Sequence, residues 1–238
     1  MNTINNTFRF IFQNKKIHGF SRTLVSLSYK FLKRTIGFTS LNIITLEKNQ
    51  LPEKKADDFA GHRFRFAAEQ DLREMQAKKE FEIYEQDIES FKSGELCLLH
   101  FFNDELNGYT WAHPHQTPLL LDGVRIKIPK SMIYNYKGYT HPQFRGKGYQ
   151  AFRYFGIFDC FEDKDKTGLV GYVDRTNWSS KRGQKKGGYS AIGRLTYVKI
   201  GKHIFIKLSR SLQSEEIGVI DYKSKVGNIY HIKRGEST

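Results

Sequence analysis

Residues 139–152 of this chain are Tyr139-Thr-His-Pro-Gln-Phe-Arg145-Gly-Lys-Gly-Tyr149-Gln-Ala-Phe152. The pattern predicts the end of a strand, a proline turn, a basic loop with two glycines and the start of an aromatic-rich helix. A helix N-terminus presents free N–H groups and the positive end of the helix dipole, and it therefore favours a phosphate or pyrophosphate. Gly146 and Gly148 allow the backbone to approach such an anion or to adopt positive φ. We therefore predict that this segment binds a phosphate-bearing cofactor.

The composition allows one large domain, or one domain with an appendage. The chain has 238 residues, of which 39% are hydrophobic and 14% aromatic, and this is enough to form a buried core. Its net charge of +14 favours anionic partners such as nucleic acid, membrane phosphates or a polyanionic cofactor. Cys97 and Cys160 match neither a metal-binding nor a disulfide pattern. Because no segment has the length of a membrane span or the pattern of a signal peptide, we expect a cytoplasmic protein.

The first fifty residues carry half of the positive charge, because they hold eight basic residues and one acid. Apolar residues recur there near helical spacing with cations between them, which predicts a basic amphipathic helix from Ser21 to Arg34. Its apolar members are Leu24, Val25, Leu27, Phe31 and Leu32. The helix either packs on the rest of the protein or docks on an anionic membrane surface. We favour packing, because the polar face is short and the whole chain is basic.

The apolar pattern predicts an alternation of strands and helices. Strands are predicted at Leu41–Glu47, Arg63–Ala67, Leu96–Phe102, Tyr109–His113, Met132–Thr140, Leu169–Val173, Leu195–Ile200 and His203–Leu208. Helices are predicted at Glu69–Lys92, Tyr149–Phe161 and Asn177–Lys186. From Arg63 the order is β-α-β-β-β-α-β-α-β-β, which predicts a mixed α/β layer fold.

Two phosphate-binding motifs fit the glycine loop poorly. A Walker A loop needs a glycine five residues before Gly146 and a Ser or Thr after Lys147, but His141 and Gly148 occupy those places. A dinucleotide fingerprint would be Gly146-x-Gly148-x-x-Ala151, directly after a strand of a βαβ unit. Here residues 142–145 intervene, and three strands of antiparallel character come first. We therefore favour neither motif.

The third interpretation of the loop is coenzyme A, because the chain resembles the GNAT superfamily of acyl-CoA N-acyltransferases from about Arg63 to Leu208. Its strongest part is Thr140-His-Pro-x-x-Arg145-Gly-x-Gly, which resembles the family's pyrophosphate loop between its fourth strand and third helix. Asn177-Trp-Ser-Ser180, followed by Gly188-Tyr189, resembles the family's Asn-x-x-Ala/Ser … Gly-Phe helix and turn. Arg65-Phe-Ala-Ala-Glu-Gln-Asp-Leu72 resembles its first strand and helix.

This resemblance implies an α/β (α+β) fold with a mixed, mostly antiparallel, twisted sheet and helices on both faces. The family's fourth and fifth strands would splay to form a cleft for acetyl-CoA. The backbone of Gly138, Tyr139 and Thr140 would pair with the pantetheine arm, and Asn177 and Ser180 would line the far side. The pyrophosphate would be held by the loop residues Arg145, Gly146, Lys147, Gly148, Tyr149 and Gln150.

The same resemblance divides the chain into three parts. Residues 1–60 would be a basic N-terminal extension with an amphipathic helix and a strand. Residues 61–210 would be the GNAT-like acyltransferase domain, and residues 211–238 a polar C-terminal tail.

The sequence departs from the family pattern at two places. Gln150 stands last in the pattern Arg-x-x-Gly-x-Gly/Ala, whereas the shifted register Gln143-x-x-Gly146-x-Gly148 fits fully but starts the helix less naturally. Many relatives carry a tyrosine on the helix after the fifth strand, where it protonates the departing thiolate. Counting from Asn177, Gln184 occupies that place. Either another group or water protonates the thiolate, or Gln184 is simply an exposed helix residue.

Acyl transfer to an amine needs a general base near the cleft. His113 and His115 flank Pro114 and point to one side of a strand end, and Tyr139 and Asp174 are the next candidates. The histidines are equally explained as polar loop groups, and Tyr139 as a packing residue. A His-x-His metal site is not expected, since no third ligand is evident.

Aromatic residues near the loop suggest the acceptor. Tyr134, Tyr136, Tyr139 and Trp111 would form a platform for a sugar or nucleotide ring, or pack across strands. The phrase Tyr134-x-Tyr136-x-Gly138-Tyr-Thr-x-Pro142 looks like a GNAT branch linked to surface-polysaccharide synthesis, which implies a nucleotide-linked amino sugar. We expect an acetyl-CoA-dependent N-acetyltransferase for a small amine, without a specific nucleic-acid partner and with peripheral membrane contact through the basic N-terminus left open. The alternative is a basic, non-enzymatic protein that binds nucleic acid or a membrane surface.

Overall fold

The computed structural model describes residues 20–51, 53, 56–114, 124–161, 165–220 and 222–233. The strands in these ranges are β1 Thr39–Glu47, β2 His62–Phe66, β3 Leu96–Phe102, β4 Glu105–His113, β5 Arg125–Lys127, β6 Met132–Thr140, β7 Gly168–Asp174, β8 Ser190–Ile200, β9 His203–Leu208, β10 Gly218–Ile220, β11 Ser224–Val226 and β12 Ile229–Lys233. The α-helices are α1 Phe20–Ile36, α2 Glu69–Lys78, α3 Glu85–Lys92, α4 Tyr149–Cys160, α5 Trp178–Lys186 and α6 Arg210–Ser214.

Ten of the strands form one sheet in the order β11-β12-β9-β8-β1-β7-β6-β4-β3-β2, and β5 pairs with β10 separately. Every described pairing in the large sheet is antiparallel except that of β6 with β7. The protein therefore has the mixed, mostly antiparallel α/β sheet that the sequence predicts.

Helices cover both faces of this sheet, as predicted. On one face, Ile157 and Phe158 of α4 pack in one cluster with strand residues such as Leu46 and Ile133. On the other face, Leu72 of α2 and Ile88 of α3 pack with the strand residues Cys97, Leu99, Tyr109 and Trp111. Side chains of β3 serve both clusters because successive strand residues point to opposite faces.

Local backbone chemistry explains where several elements turn or end. Asn103 and Asp104 both have positive φ, 48° and 62°, between β3 and β4, as a two-residue hairpin turn requires. The helix predicted over 69–92 is divided into α2 and α3, because Lys79 and Glu82 also have positive φ, which no α-helix accommodates.

Both ends of the chain enter the fold more fully than the three-part division implies. β1 lies inside the sheet, paired with β7 on one side and β8 on the other. The C-terminal part forms α6 and β10–β12, and its residues Leu212, Ile217, Val219 and Tyr230 are buried. The boundaries near residues 60 and 210 stay predictions.

α1 packs on the protein with the opposite face to the predicted one. Thr23, Ser26 and Tyr29 are its buried residues, whereas Leu24 and Phe31 are exposed. The Tyr29 hydroxyl accepts a hydrogen bond from the Ser40 N–H (2.7 Å) and lies 3.2 Å from a carboxylate oxygen of Asp174. The hydroxyl face turns inward because it finds these partners. No described helix has both the length and the apolar character needed to cross a membrane.

Candidate functional site

A gap opens in the sheet between β6 and β7. These strands pair at Met132–Gly168, Ile133–Leu169 and Tyr134–Val170 and then part, although β6 continues to Thr140 and β7 to Asp174. On the sides away from the gap, β4 pairs antiparallel with β6 from Tyr134 to Thr140, and β1 pairs antiparallel with β7 from Gly168 to Asp174. The predicted splay of two adjacent strands is therefore present, and the backbone of residues 138–140 lies along its edge.

Side chains that the sequence analysis missed secure the divergence of β6. The Asn135 amide donates to Thr110 Oγ1 (2.7 Å) and to the Trp111 carbonyl (3.1 Å), and its Oδ1 accepts from the Tyr189 hydroxyl (3.2 Å). The β4–β6 register shifts near this point, and Lys137 has φ of 45° and forms an ion pair with Asp87 of α3. A bulge of this kind bends a strand and re-aims its side chains.

The glycine loop lies at the mouth of this gap. Gly146 and Gly148 have φ of 84° and 78°, and a side chain at either position would meet open space. Gly148 is the N-cap of α4 and supplies no side-chain cap. The amides of residues 146–150 donate to no other described group, so five N–H groups are free where an anion is favoured. The predicted turn with two positive-φ glycines at the start of a helix is present, and anion binding by it stays a prediction.

The charged residues of the loop are exposed, whereas its aromatic residue is partly buried. Arg145 and Lys147 are exposed, and Arg145 Nε donates to the Thr140 carbonyl at 2.9 Å. Tyr149 is partly buried, with its ring centroid 4.9 Å from that of His62. The two cations thus remain at the surface of the mouth.

Arg153 adds a buried cation beneath the loop, one turn into α4. Its guanidinium donates to Thr140 Oγ1 (2.5 Å) and weakly to Asn107 Oδ1 (3.5 Å), and it pairs with no described carboxylate. Burial lowers the pKa of Arg153 to about 10. A cation without an acidic partner strengthens the positive potential at the N-terminus of α4. Its position within an aromatic helix gave no signal in the sequence.

The far wall of the gap comes from α5 and from Gln150. Asn177 caps α5, since its Oδ1 accepts from the Ser180 N–H at 3.1 Å. The Gln150 side chain lies between Gly138 and Gly183, because a Cβ built on these glycines would stand 3.7 and 3.2 Å from its amide atoms. Gln150 thus lies between β6 and α5, the helix that Asn177 caps and that contains Ser180.

Of the alternatives for Gln184, the structure does not support an exposed helix residue. Its side chain is half-buried, and its Oε1 is buried without a hydrogen-bond partner among the described groups. An unpaired buried acceptor is unfavourable unless a donor reaches it. With the five free amides of the glycine loop, it suits a ligand that carries an anionic end and amide donors, as coenzyme A does.

Two predicted catalytic residues have other partners in the fold. The Tyr139 hydroxyl donates to the Glu80 carbonyl (2.5 Å), and its ring stacks on Tyr109 on the α2–α3 face. Burial raises the pKa of Tyr139. Asp174 accepts from the Thr176 N–H and hydroxyl at 2.8 and 2.7 Å. A role in proton transfer would require each to leave these contacts.

The predicted histidines are only partly described. His113 is half-buried at the end of β4 and pairs across the strands with Tyr134, whereas His115 lies outside the described residues. Within the described ranges no group of three or more His, Cys, Asp or Glu side chains is arranged to hold a metal ion.

Glu95, which the sequence analysis missed, lies close enough to Tyr134 for its charge to raise the pKa of that tyrosine, and Tyr134 is the last residue of β6 that pairs with β7. Glu95 precedes β3 and shares a face with Cys97, Trp111 and Tyr136, because these strand residues are cross-strand partners. Its Oε2 is buried without a hydrogen-bond partner among the described groups. Burial raises the pKa of Glu95, the charge of Asp87 raises it further, and a hydrogen bond with Ser90 opposes the rise.

Tyr134, Tyr136 and Trp111 lie together as an aromatic cluster, and because Tyr134 and Trp111 are only 5% and 1% exposed, these two rings pack across the strands. Tyr134 stacks on Tyr136 (5.3 Å between centroids), and Tyr136 lies 6.4 Å from Trp111. Tyr172 of β7 takes the predicted place of Tyr139, with its ring centroid 6.2 Å from that of Tyr134. Burial is the main cause of the raised pKa of Tyr134, and the nearby charge of Glu95 contributes to the rise. The carboxyl group of Glu95 therefore lies near the tyrosine rings of β6 and β7.

Comparison with known proteins gives structural likenesses at low identity. No protein-family model and no curated protein matches the sequence. A GNAT-family acetyltransferase from Colwellia psychrerythraea has a TM-score of 0.47 and 11% identity, over 72% of this chain and 61% of that one. A conserved protein of unknown function from Staphylococcus epidermidis ATCC 12228 has a TM-score of 0.46 and 11% identity, over 73% and 66%.

A third solved structure, described as a GNAT-family acetyltransferase from Novosphingobium aromaticivorans, has a TM-score of 0.42 and 15% identity, over 68% of this chain and 63% of that one. This chain therefore spans between 61% and 66% of the length of these three proteins. Likeness at these identities and scores does not assign an activity to the chain.

Proposed function

We propose that this protein is an acyl-CoA-dependent N-acyltransferase that moves an acetyl group to a primary amine. One observation supports this most directly: the parallel pairing of β6 with β7 ends after three residue pairs, and the free amides of residues 146–150 lie at the mouth of the resulting gap. The gap offers an unpaired strand edge to an extended arm, and the turn offers N–H groups to its phosphates.

The residues present fit coenzyme A in three places. The amides of the glycine loop, with Arg145 and Lys147, would hold the pyrophosphate. The backbone of residues 138–140 would pair with the pantetheine amides, and Gln184 Oε1 would accept a hydrogen bond from a donor that enters the gap. When bound, acetyl-CoA supplies an acyl group on a good leaving group.

The acceptor amine must lose a proton before it can attack, and we propose that Glu95 takes it. Its raised pKa brings the carboxylate closer to the operating pH, which makes it a better base than an exposed glutamate. The aromatic side chains Tyr134, Tyr136 and Tyr172 exclude water from this side and so favour the neutral amine. Glu95 Oε2 would receive the proton.

We further propose that the acceptor is an amino sugar, nucleotide-linked and destined for a surface polysaccharide. Sugar and nucleotide rings stack on tyrosine faces, and Tyr136 and Tyr172, which are only partly buried around the buried Tyr134, would supply such faces. A screen of amine acceptors for release of free coenzyme A tests this, and turnover confined to amino acids or peptides would contradict it. The cytoplasmic location expected from the sequence stays a prediction.

The cofactor site is tested by thermal unfolding with and without acetyl-CoA. At a concentration one hundred times the Kd, acetyl-CoA should add about 2.7 kcal/mol to the stability of the wild type. Gly148→Glu should abolish this gain, because a carboxylate would stand among the free amides.

Gly201→Glu is the matched control. Gly201 also has positive φ (57°) and open space around it, but it lies in the β8–β9 turn. Both variants lose intrinsic stability through backbone strain, and only Gly148→Glu should lose the response to acetyl-CoA. Wild type that is not stabilised by acetyl-CoA, or equal responses in the two variants, would refute the proposed cofactor site.

A further inference from the structure

α1 presents its apolar residues to solvent. Its buried residues are Thr23, Ser26 and Tyr29, two of which are small and polar. Five large apolar side chains on the same helix are between 39% and 67% exposed, namely Leu24, Val25, Phe31, Leu32 and Ile36. A helix that only packs on its own domain has the reverse arrangement. The exposed apolar residues define a surface, here called the outer face of α1, that packing does not explain.

Hydrogen bonds hold this orientation in place. Ser26 Oγ donates to the Arg22 carbonyl at 2.9 Å and lies 3.4 Å from the indole Nε1 of Trp178. Tyr29 bonds to Ser40 and lies beside Asp174, and burial raises its pKa to about 12. Turning the helix over would bury Leu24 and Phe31 but leave these polar groups without partners. The outer face is therefore a stable feature of the fold.

The charged residues of α1, the helix that carries the outer face, are all basic. α1 contains four basic residues and no acid, namely Arg22, Lys30, Lys33 and Arg34. Lys33 and Arg34 are exposed and form no ion pair with a described residue, and they lie in the same two turns as Phe31 and Leu32. Apolar side chains flanked by cations match an interface in which acyl chains lie below anionic head groups.

We propose that the outer face of α1 docks on an anionic phospholipid bilayer, with the helix lying in the plane of the interface. Its apolar side chains enter the acyl boundary while its cations contact lipid phosphates. Charge complementarity selects this occupant over a second copy of the chain, because two such faces would bring their cations together. Tyr29 links α1 to Asp174 at the open end of the gap, so docking would hold that end near the membrane.

Vesicle flotation of the full chain tests this proposal. The protein should float with vesicles of phosphatidylglycerol and phosphatidylcholine, float poorly with phosphatidylcholine alone, and dissociate as salt is raised. Leu24→Ser/Phe31→Ser should weaken binding to the anionic vesicles by about tenfold or more, since two large apolar side chains are removed from the interface. Both positions are exposed, so the thermal stability of the variant should match that of the wild type.

Val226→Ser/Ile229→Ser is the matched control, because it removes two exposed apolar side chains from the β11–β12 hairpin at the far edge of the sheet. It should bind vesicles as the wild type does. Equal binding by Leu24→Ser/Phe31→Ser would overturn the proposal, because charge alone would then account for attachment. Absence of flotation, or a dimer in solution that the same substitutions abolish, would also overturn it.

Discussion

Burial of the Glu95 carboxyl raises its pKa because a half-buried carboxylate loses part of its hydration, and the charge of Asp87 adds to the effect. Since the folded pKa is above the unfolded one, the stability linked to this group is present at low pH. It is lost as the pH rises through the folded pKa. The same feature that makes Glu95 a suitable base thus destabilises the protein at neutral pH.

Glu95→Gln should therefore separate stability from activity. At pH 8 the melting temperature of the variant should exceed that of the wild type, and at about pH 3 the two should agree, because that pH lies below the unfolded pKa of about 4.3 and Glu95 is then protonated in both states. Acetyl transfer should fall by roughly 10²- to 10⁴-fold as the base is lost.

Glu89→Gln is the control for Glu95→Gln, since Glu89 is an exposed residue of α3. It should change neither the melting temperature nor the activity. An active Glu95→Gln variant would exclude Glu95 as the base, and His113 would then be the next candidate for that role.

A side-chain cap stabilises the start of α2 and connects this helix to β2. Asp71 accepts from the Ala68 N–H at 2.7 Å and receives two hydrogen bonds from Arg65 at 2.7 and 2.6 Å. The hydrogen bond from Arg65 lowers the pKa of Asp71, burial opposes this, and the Ala68 amide adds to the lowering. One carboxylate thus caps α2 and ties it to β2.

Asp71→Asn should destabilise the protein by about 1 kcal/mol at pH 7, because the cap and the paired charge are both weakened. The folded pKa is depressed, so this contribution is present above the unfolded pKa of about 3.9 and disappears as the pH falls through the folded value. Denaturant unfolding at pH 7 and at the lowest pH where the protein stays folded measures the difference.

Asp104→Asn serves as the comparison for Asp71→Asn, because Asp104 forms only an exposed ion pair with Arg63 at 3.3 Å. Its effect should be close to zero at either pH. A larger loss in Asp104→Asn than in Asp71→Asn would contradict the capping account.

At the scale of the whole molecule, β1 lies in the middle of the sheet and shares an apolar cluster with β3. Leu46 of β1 and Leu98 of β3 are both fully buried and lie in one apolar cluster, although 52 positions separate them in the sequence. Removing either side chain should therefore disturb the same cooperative structure.

Leu46→Ala and Leu98→Ala should each lower the stability by about 2–5 kcal/mol and shift a single unfolding transition. Leu32→Ala, at an exposed position of α1, should have little effect. Calorimetry that shows Leu46→Ala melting a separate early transition would instead support residues 1–60 as an independent extension.

Order and type of elements were largely predictable from the sequence, because they follow from local periodicity and turn chemistry. The strand alternation in residues 96–102 and the glycine loop before α4 both appear in the structure as predicted. α1 shows where periodicity falls short. The spacing of Leu24 and Phe31 predicted a helix correctly, but it did not reveal that the helix binds through its hydroxyl face.

The sequence by itself determined the basic glycine turn before α4, since two glycines, two cations and a helix start are properties of consecutive residues. Resemblance to a family predicted which strands part, and only the tertiary structure decided what lines the gap. The end of β6–β7 pairing depends on Asn135 bonding to β4 and to Tyr189, which is 54 positions away. Glu95 becomes a candidate base only because burial raises its pKa. Burial and long-range pairing depend on the whole packed sheet, and no local pattern encodes them.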